Sequence, residues 1–260
     1  MAAGADESAT LHLPRILCLH GGGTNAHIFH MQCRVLVRTL CPYFCLVFAE
    51  APLPARPGSD VTVAYKDYGP FKAWLPIRGE DPVHETQHIA RRIESALEAT
   101  RIADDCRGAT GEWVGLLGFS QGAHLAASIL ANQQELLRRR TGDDTTILPN
   151  YQFGLPMPLG FVDASRRTVG IEREKQVFEN AAPYVMQIPT IYVHVLADPN
   201  IGLHRRLLYQ HCDPSSTALI GWGGDHRVPI NSKGVSPAVQ QIIAVTQQLG
   251  VLRCCIRYDR

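Results

Sequence analysis

The stretch Trp113-Val114-Gly115-Leu116-Leu117-Gly118-Phe119-Ser120-Gln121-Gly122-Ala123-His124-Leu125-Ala126-Ala127-Ser128-Ile129-Leu130 decides the fold. An apolar run of strand length leads into Gly118-Phe119-Ser120-Gln121-Gly122, and an Ala/Leu/Ile run with helical spacing leaves it. G-x-S-x-G between a strand and a helix is a nucleophile elbow, a turn so tight that only small residues fit beside the serine. The turn lifts the serine Oγ off the carboxyl end of the sheet, and the new helix aims its N-terminus at it. Ser120 is the candidate nucleophile, and the backbone N–H of Gln121 is placed to hold an oxyanion.

Working outward, further apolar runs alternate with helix-length periodic segments. Strands are expected at 15–20, 44–49, 113–119, 151–159, 190–196 and 217–222, and helices at 26–40, 83–100, 121–139, 172–181, 203–212 and 236–249. That alternation predicts an α/β fold of the α/β-hydrolase kind, a mostly parallel sheet flanked by helices on both faces. No linker or internal repeat divides the chain, so residues 1–260 are expected to form a single domain, with 1–12 a flexible N-terminus. Stretches 51–80 and 141–150 read as loops. The first carries Tyr65, Tyr68, Phe71 and Trp74 and is either a candidate substrate wall or a peripheral mini-core of aromatics.

Composition narrows the partners. The chain is 45% hydrophobic and 19% charged, enough apolar material for a sizeable core. Lys plus Arg number 25 against 24 for Asp plus Glu, so no field of one sign draws nucleic acid or an anionic membrane. No apolar run approaches the roughly 20 residues of a membrane span. The opening Met1 to Thr10 is polar and acidic, unlike a secretory signal, so a cytoplasmic location is expected. The eight cysteines are then read as reduced thiols. They form no C-x-x-C pair, and no metal is expected.

A serine hydroxyl is a poor nucleophile unless a base takes its proton, and in this fold the order along the chain is serine, acid, histidine. Asp198 follows the apolar run Ile191 to Leu196, at the carboxyl end of an expected strand, and is the candidate acid. His226, in Gly223-Gly224-Asp225-His226-Arg227-Val228-Pro229, is the candidate base. Asp225 and Asp163 are rival acids, but a side chain adjacent to the histidine does not easily reach its distal face. Leu19-His20-Gly21-Gly22-Gly23-Thr24 is of the H-G-G-G type, so Gly22 or Gly23 supplies the second oxyanion N–H. Phe71, Trp74 and Met157 are candidate substrate-binding residues. Phe153, Met157 and Phe161 fit either an acyl pocket or the core.

Three other motifs compete. Gly21-Gly22-Gly23-Thr24-Asn25-Ala26 satisfies the dinucleotide pattern G-x-G-x-x-A, with Glu50 closing the next strand, but such an enzyme has no need of the serine, acid and histidine at strand ends. His84-Glu85-Thr86-Gln87-His88 matches H-E-x-x-H, but Arg91 stands where the extended motif has glycine, and a solvated helix face is expected. Arg138-Arg139-Arg140 reads as the charged end of a helix, favourable to its dipole.

Taken together, the segments 17–26, 118–123, 194–199 and 223–229, with Gly69-Pro70-Phe71-Lys72-Ala73-Trp74, resemble the fungal family of serine hydrolases over most of the chain. The resemblance carries the nucleophile to Ser120, the acid to Asp198 and the base to His226, with oxyanion donors at Gln121 and the Gly22 region, and implies no cofactor. It implies either a stand-alone thioesterase, freeing a polyketide acyl chain presented by the acyl carrier domain of a synthase, or a short-chain carboxylesterase. Arg138, Arg139 and Arg140 are candidates to meet an acidic carrier. A catalytically silent hydrolase-fold binding protein is the alternative from outside enzymology.

Overall fold

The structure is a computed structural model describing residues 7–58, 61, 64–76, 84–139, 150–157, 185–196, 205, 208, 212–223, 228, 229 and 231–252. All six expected strands form: β1 (Arg15–Leu19), β2 (Cys45–Ala49), β5 (Trp113–Phe119), β6 (Phe153–Met157), β7 (Thr190–Val195) and β8 (Thr217–Trp222). They make one sheet in the order β2-β1-β5-β6-β7-β8, every neighbouring pair parallel. Between β2 and β5 the chain also lays down β3 (Leu53–Pro54) and β4 (Lys72–Ala73), a small antiparallel pair inside the stretch expected to be loop.

Helices cover both faces, as the near-continuous apolar strands require. β1 splits its side chains between two cores. Ile16 and Cys18 join Phe29, Leu36, Leu40, Val239 and Ile242 under α1 (Ala26–Gln32), α2 (Arg34–Leu40) and α5 (Ser232–Gln248). Leu17 and Leu19 join Ile89, Ile93, Leu97, Ala126 and Leu130 under α3 (His84–Cys106) and α4 (Gln121–Arg139). A register shift between Arg15 and Ile16 adds one residue to β5, and the bulge brings Val114 to the same face as Leu117 and Phe119.

Several boundaries differ from expectation. The single helix expected over 26–40 breaks at Cys33, whose backbone (φ −82, ψ 6) is not helical. The break lets Phe29 on one side and Leu36 and Leu40 on the other reach the same core. The last helix begins at Ser232, four residues early, because the Asn231 side chain caps it by accepting from Gly234 N at 2.8 Å. Of the N-terminus expected to be flexible, 1–12, the structure describes residue 7 onward. Glu7–Thr10 is a 3₁₀ turn, and the Leu11 carbonyl accepts from Thr110 N at 2.8 Å. The expected helix 172–181 and loop 141–149 lie outside the described residues. Of 203–212, Arg205 and Leu208 are helical, whereas Cys212 has left the helix for a parallel bridge to Met186.

Candidate active site

The strand order reverses between β1 and β5: from β1 the chain moves outward to β2, then returns to lay β5 on β1's other side. Loops leaving the carboxyl ends of two such strands diverge and open a crevice. Leu19 pairs with Gly118, so the glycine loop 20–24 and the Ser120 elbow leave the sheet side by side.

Ser120 has φ +52 and is the one non-glycine residue with positive φ among the described residues. A left-handed backbone costs an L-residue about 1–2 kcal/mol, so the surroundings must impose it. The glycines explain how. A Cβ on Gly118 would stand 2.2 Å from the Gly122 carbonyl oxygen, and one on Gly122 would stand 2.1 Å from that of Leu19. Strand end, elbow and first helical turn are therefore packed backbone against backbone. The Ser120 carbonyl accepts from Ala123 N at 3.0 Å and starts α4, while its side chain sits at a partly exposed position. The Gln121 N–H, at the first position of that helix, is one of the donors an α-helix leaves without an intrahelical partner.

The glycine loop lies between this elbow and the β4 segment. Gly21 abuts the elbow, since a Cβ there would lie 3.3 Å from Ser120 Cβ. Gly23 has φ +76, donates its N–H to the Lys72 carbonyl at 2.9 Å, and is walled in by the backbone of Arg56 and Gly58. Lys72 N returns a bond to the Thr24 carbonyl at 2.6 Å. The space beside Gly22 is filled by the Gln121 carboxamide, whose Cδ is 2.6 Å from where a Cβ would be. The three glycines thus serve internal packing, a different use from the open pyrophosphate cradle that the dinucleotide pattern describes.

Trp74 was expected on the substrate wall. It is instead fully buried among Leu19, Leu53 and Ile89, and its indole N–H donates to the His20 carbonyl at 2.9 Å. With no accessible surface, it supports the glycine loop from behind. Phe71 is half-buried just before β4, its carbonyl accepting from Ala55 N at 2.9 Å. Met157 ends β6 in register with Phe119, one strand over from the elbow. Phe153 is core, fully buried beside Phe44.

Asp198 and His226 lie outside the described residues, as do their rivals Asp163 and Asp225, and Phe161 and Arg140. The strands preceding the candidate acid and base end level with each other, Val195 pairing with Trp222. His88 is exposed on α3, and among the described residues no group of three or more His, Cys, Asp or Glu suits a metal. Arg138 and Arg139 both pair with Glu135, at 3.2 and 2.5 Å. No helix among the described residues is long and apolar enough to cross a membrane.

Two contributors escaped the sequence reading. His20 is fully buried, with Nδ1 2.7 Å from the Gly21 carbonyl and Nε2 3.1 Å from Ala51 N and 3.3 Å from Glu50 Oε1. Its H-G-G-G context was the available signal. The Gln121 side chain contacts the backbone of Trp74 and Leu75, about 46 positions away, and nothing in the local sequence marks that pairing.

The site can be set beside known proteins. The chain is 45% identical over 270 residues to the esterase dbaE of Emericella nidulans, covering 96% of each chain. It is 41% identical over 265 residues to the esterase pigG of Monascus ruber, covering 96% of this chain and 97% of the relative. Among solved structures, a carboxylesterase from Mesorhizobium loti aligns over 92% of both chains with a TM-score of 0.51 and 15% identity, a likeness of fold. The family model described as Serine hydrolase (FSH1) matches residues 9–238, most of the chain including the elbow and the glycine loop, and the chain belongs to that serine hydrolase family.

Proposed function

We propose that this serine hydrolase cleaves acyl ester or thioester bonds with Ser120 as nucleophile, His226 as base and Asp198 orienting the base. The observation that carries the reading is the left-handed backbone of Ser120 at the crevice between β1 and β5, beside the glycine loop. Chain order supports the partners, since Asp198 and His226 follow the ends of β7 and β8 by only a few residues.

The steps follow from that assignment. His226 takes the Ser120 hydroxyl proton as Oγ attacks the acyl carbonyl, and negative charge moves to the carbonyl oxygen. The N–H groups of Gln121 and Gly22 receive that charge, while the Gly23 N–H is already engaged by Lys72. Collapse expels the alcohol or thiol with the proton held by His226. Water, deprotonated by the same histidine, then releases the acid and restores Ser120.

The finer reading is release of a polyketide acyl chain from the thioester of an acyl carrier domain, which rests on the resemblance of the motifs. A free carboxylic ester is the second reading, favoured by the names of the relatives, both esterases. The six cysteines that are free thiols among the described residues suit a reducing, cytoplasmic setting. Turnover of matched acyl thioesters and esters, with His226→Ala and Asp198→Asn alongside, is the test. Higher kcat/KM on thioesters, abolished by His226→Ala, supports acyl-chain release, and higher kcat/KM on esters assigns the carboxylesterase. Full activity in His226→Ala overturns the assignment of the base.

A further inference from the structure

We infer that the side chain of Gln121 is a positioning residue for the hydrolysis: its carboxamide wedges the glycine loop against the Trp74–Leu75 backbone and so fixes the Gly22 amide at the oxyanion position. This rests on Ser120 being the nucleophile and adds a second task to Gln121, whose backbone N–H is the other oxyanion donor.

A side chain on the first residue of an exposed helix usually enters solvent. Here it turns inward. Oε1 accepts from Trp74 N at 3.2 Å and Leu75 N at 3.4 Å, and Nε2 donates to the Leu75 carbonyl at 3.3 Å. Each contact is longer than the usual 2.9–3.0 Å and individually weak. Together they hold the amide plane across the segment that follows β4. The same group fills the space beside Gly22, its Cδ, Nε2 and Oε1 all within 2.8 Å of the position a Cβ would take.

The glycines on either side of Gly22 are fixed by other means. Gly21 lies against Phe119 and Ser120, and Gly23 is tied to Lys72 and Gly58. Gly22 makes no hydrogen bond to another described residue, as an amide kept for a substrate oxygen must. The group packed against Gly22 is the Gln121 carboxamide, itself anchored to a segment whose indole holds the His20 carbonyl at 2.9 Å. Removing the wedge leaves both oxyanion N–H groups present and one of them misplaced. A misplaced donor weakens the transition state more than the bound ester, so the loss falls on kcat rather than KM.

The test uses the full chain with p-nitrophenyl butyrate. Gln121→Met keeps most of the volume, keeps the backbone N–H and deletes the three polar contacts. We expect kcat to fall about 10- to 100-fold, below the ~10²–10³ of losing a donor outright, with KM within about threefold. Gly22→Ala is the reciprocal probe, because its methyl displaces the carboxamide. It should cost over about tenfold in the wild type and under about threefold in a Gln121→Ala background, where the space is free. Melting curves confirm that each variant is folded at the assay temperature. A Gln121→Met enzyme with kcat within twofold of wild type, a loss confined to KM, or Gly22→Ala effects equal in both backgrounds each overturn the inference. Ser120→Ala, run in parallel, separates the two ideas: full activity in that variant means that the nucleophile itself was misassigned.

Discussion

A Cβ on Gly122 would stand 2.1 Å from the carbonyl oxygen of Leu19, so the first turn of α4 meets the end of β1 with no side chain between them. Rotamer changes cannot relieve a clash between a Cβ and a backbone atom. Gly122→Ala therefore has to push the helix start away from the glycine loop. We expect a destabilisation of about 2–3 kcal/mol and a loss of at least ~100-fold in turnover by the folded fraction. Gly118→Ala, whose Cβ meets the Gly122 carbonyl at 2.2 Å, should behave alike. Chemical denaturation and turnover of the purified variants check both, and native stability in either would mean the elbow is looser than described.

Ser120 occupies a backbone region that glycine enters freely. Ser120→Gly and Ser120→Ala both delete the hydroxyl, but only the first relieves the left-handed strain. In equilibrium denaturation the glycine variant should be the more stable by about 1 kcal/mol, both being inactive. The reverse order would show that Ser120 is not held at positive φ in solution.

At the opposite end of the sheet, Arg15 begins β1 almost without exposure. Its Nη1 is 3.2 Å from Asp104 Oδ2, its Nε donates to the Gly111 carbonyl at 2.6 Å, and its guanidinium lies 4.3 Å over the Trp113 ring. Arg15→Met leaves the Asp104 carboxylate, whose side chain is 1% exposed, with only the longer ion pair to Arg107 at 3.6 Å. Removing one partner of a buried pair costs about 3–5 kcal/mol. Adding Asp104→Asn should recover part of that. Thermal melts of the single and double variants measure the coupling, and kcat per folded molecule should stay near wild type because the pair is remote from the elbow.

Burial pushes the thiols of Cys18 and Cys33 well up from their ordinary range and that of Cys212 up to about 11. The folded state thus keeps thiol protons that the unfolded chain releases near pH 8.5. Stability from this source is fully present below about pH 8 and declines as pH rises through the folded-state values, by up to about 1.4 kcal/mol per pH unit for each thiol. Melting temperatures measured from pH 7 to 11 should fall beyond pH 9, less steeply in Cys33→Ala. Parallel slopes for the two proteins would contradict a buried Cys33.

The sheet was legible because the central strands β1 and β5 are buried on both faces and the strands read as short apolar runs. Trp113–Phe119 and Thr217–Trp222 match to the residue, and so does α4, whose start the elbow sets. The break at Cys33 was hidden because apolar spacing continues across it. The start of α5 was set four residues late because apolar spacing does not register the Asn231 cap. β3 and β4 are two residues each, too short for any period to show. The inward placement of Trp74 was hidden for a related reason: it sits in a Pro- and Gly-rich stretch that looks peripheral, and only the pairing of Leu53 with Ala73 turns that stretch inward. The tight elbow at Ser120 and the glycine loop beside it were readable from local glycine spacing. The Gln121 wedge was not, because it depends on a segment distant in sequence.

Covalent trapping is the sharpest probe of Ser120 as the nucleophile. The wild-type chain is treated with a p-nitrophenyl alkylphosphonate, digested and mapped by mass spectrometry, with Ser120→Ala alongside. One phosphonyl adduct is expected, on the peptide holding Ser120, with loss of activity in step with labelling and no adduct in Ser120→Ala. A folded wild-type protein that stays unlabelled, or is labelled at another residue while Ser120→Ala keeps its activity, would contradict it.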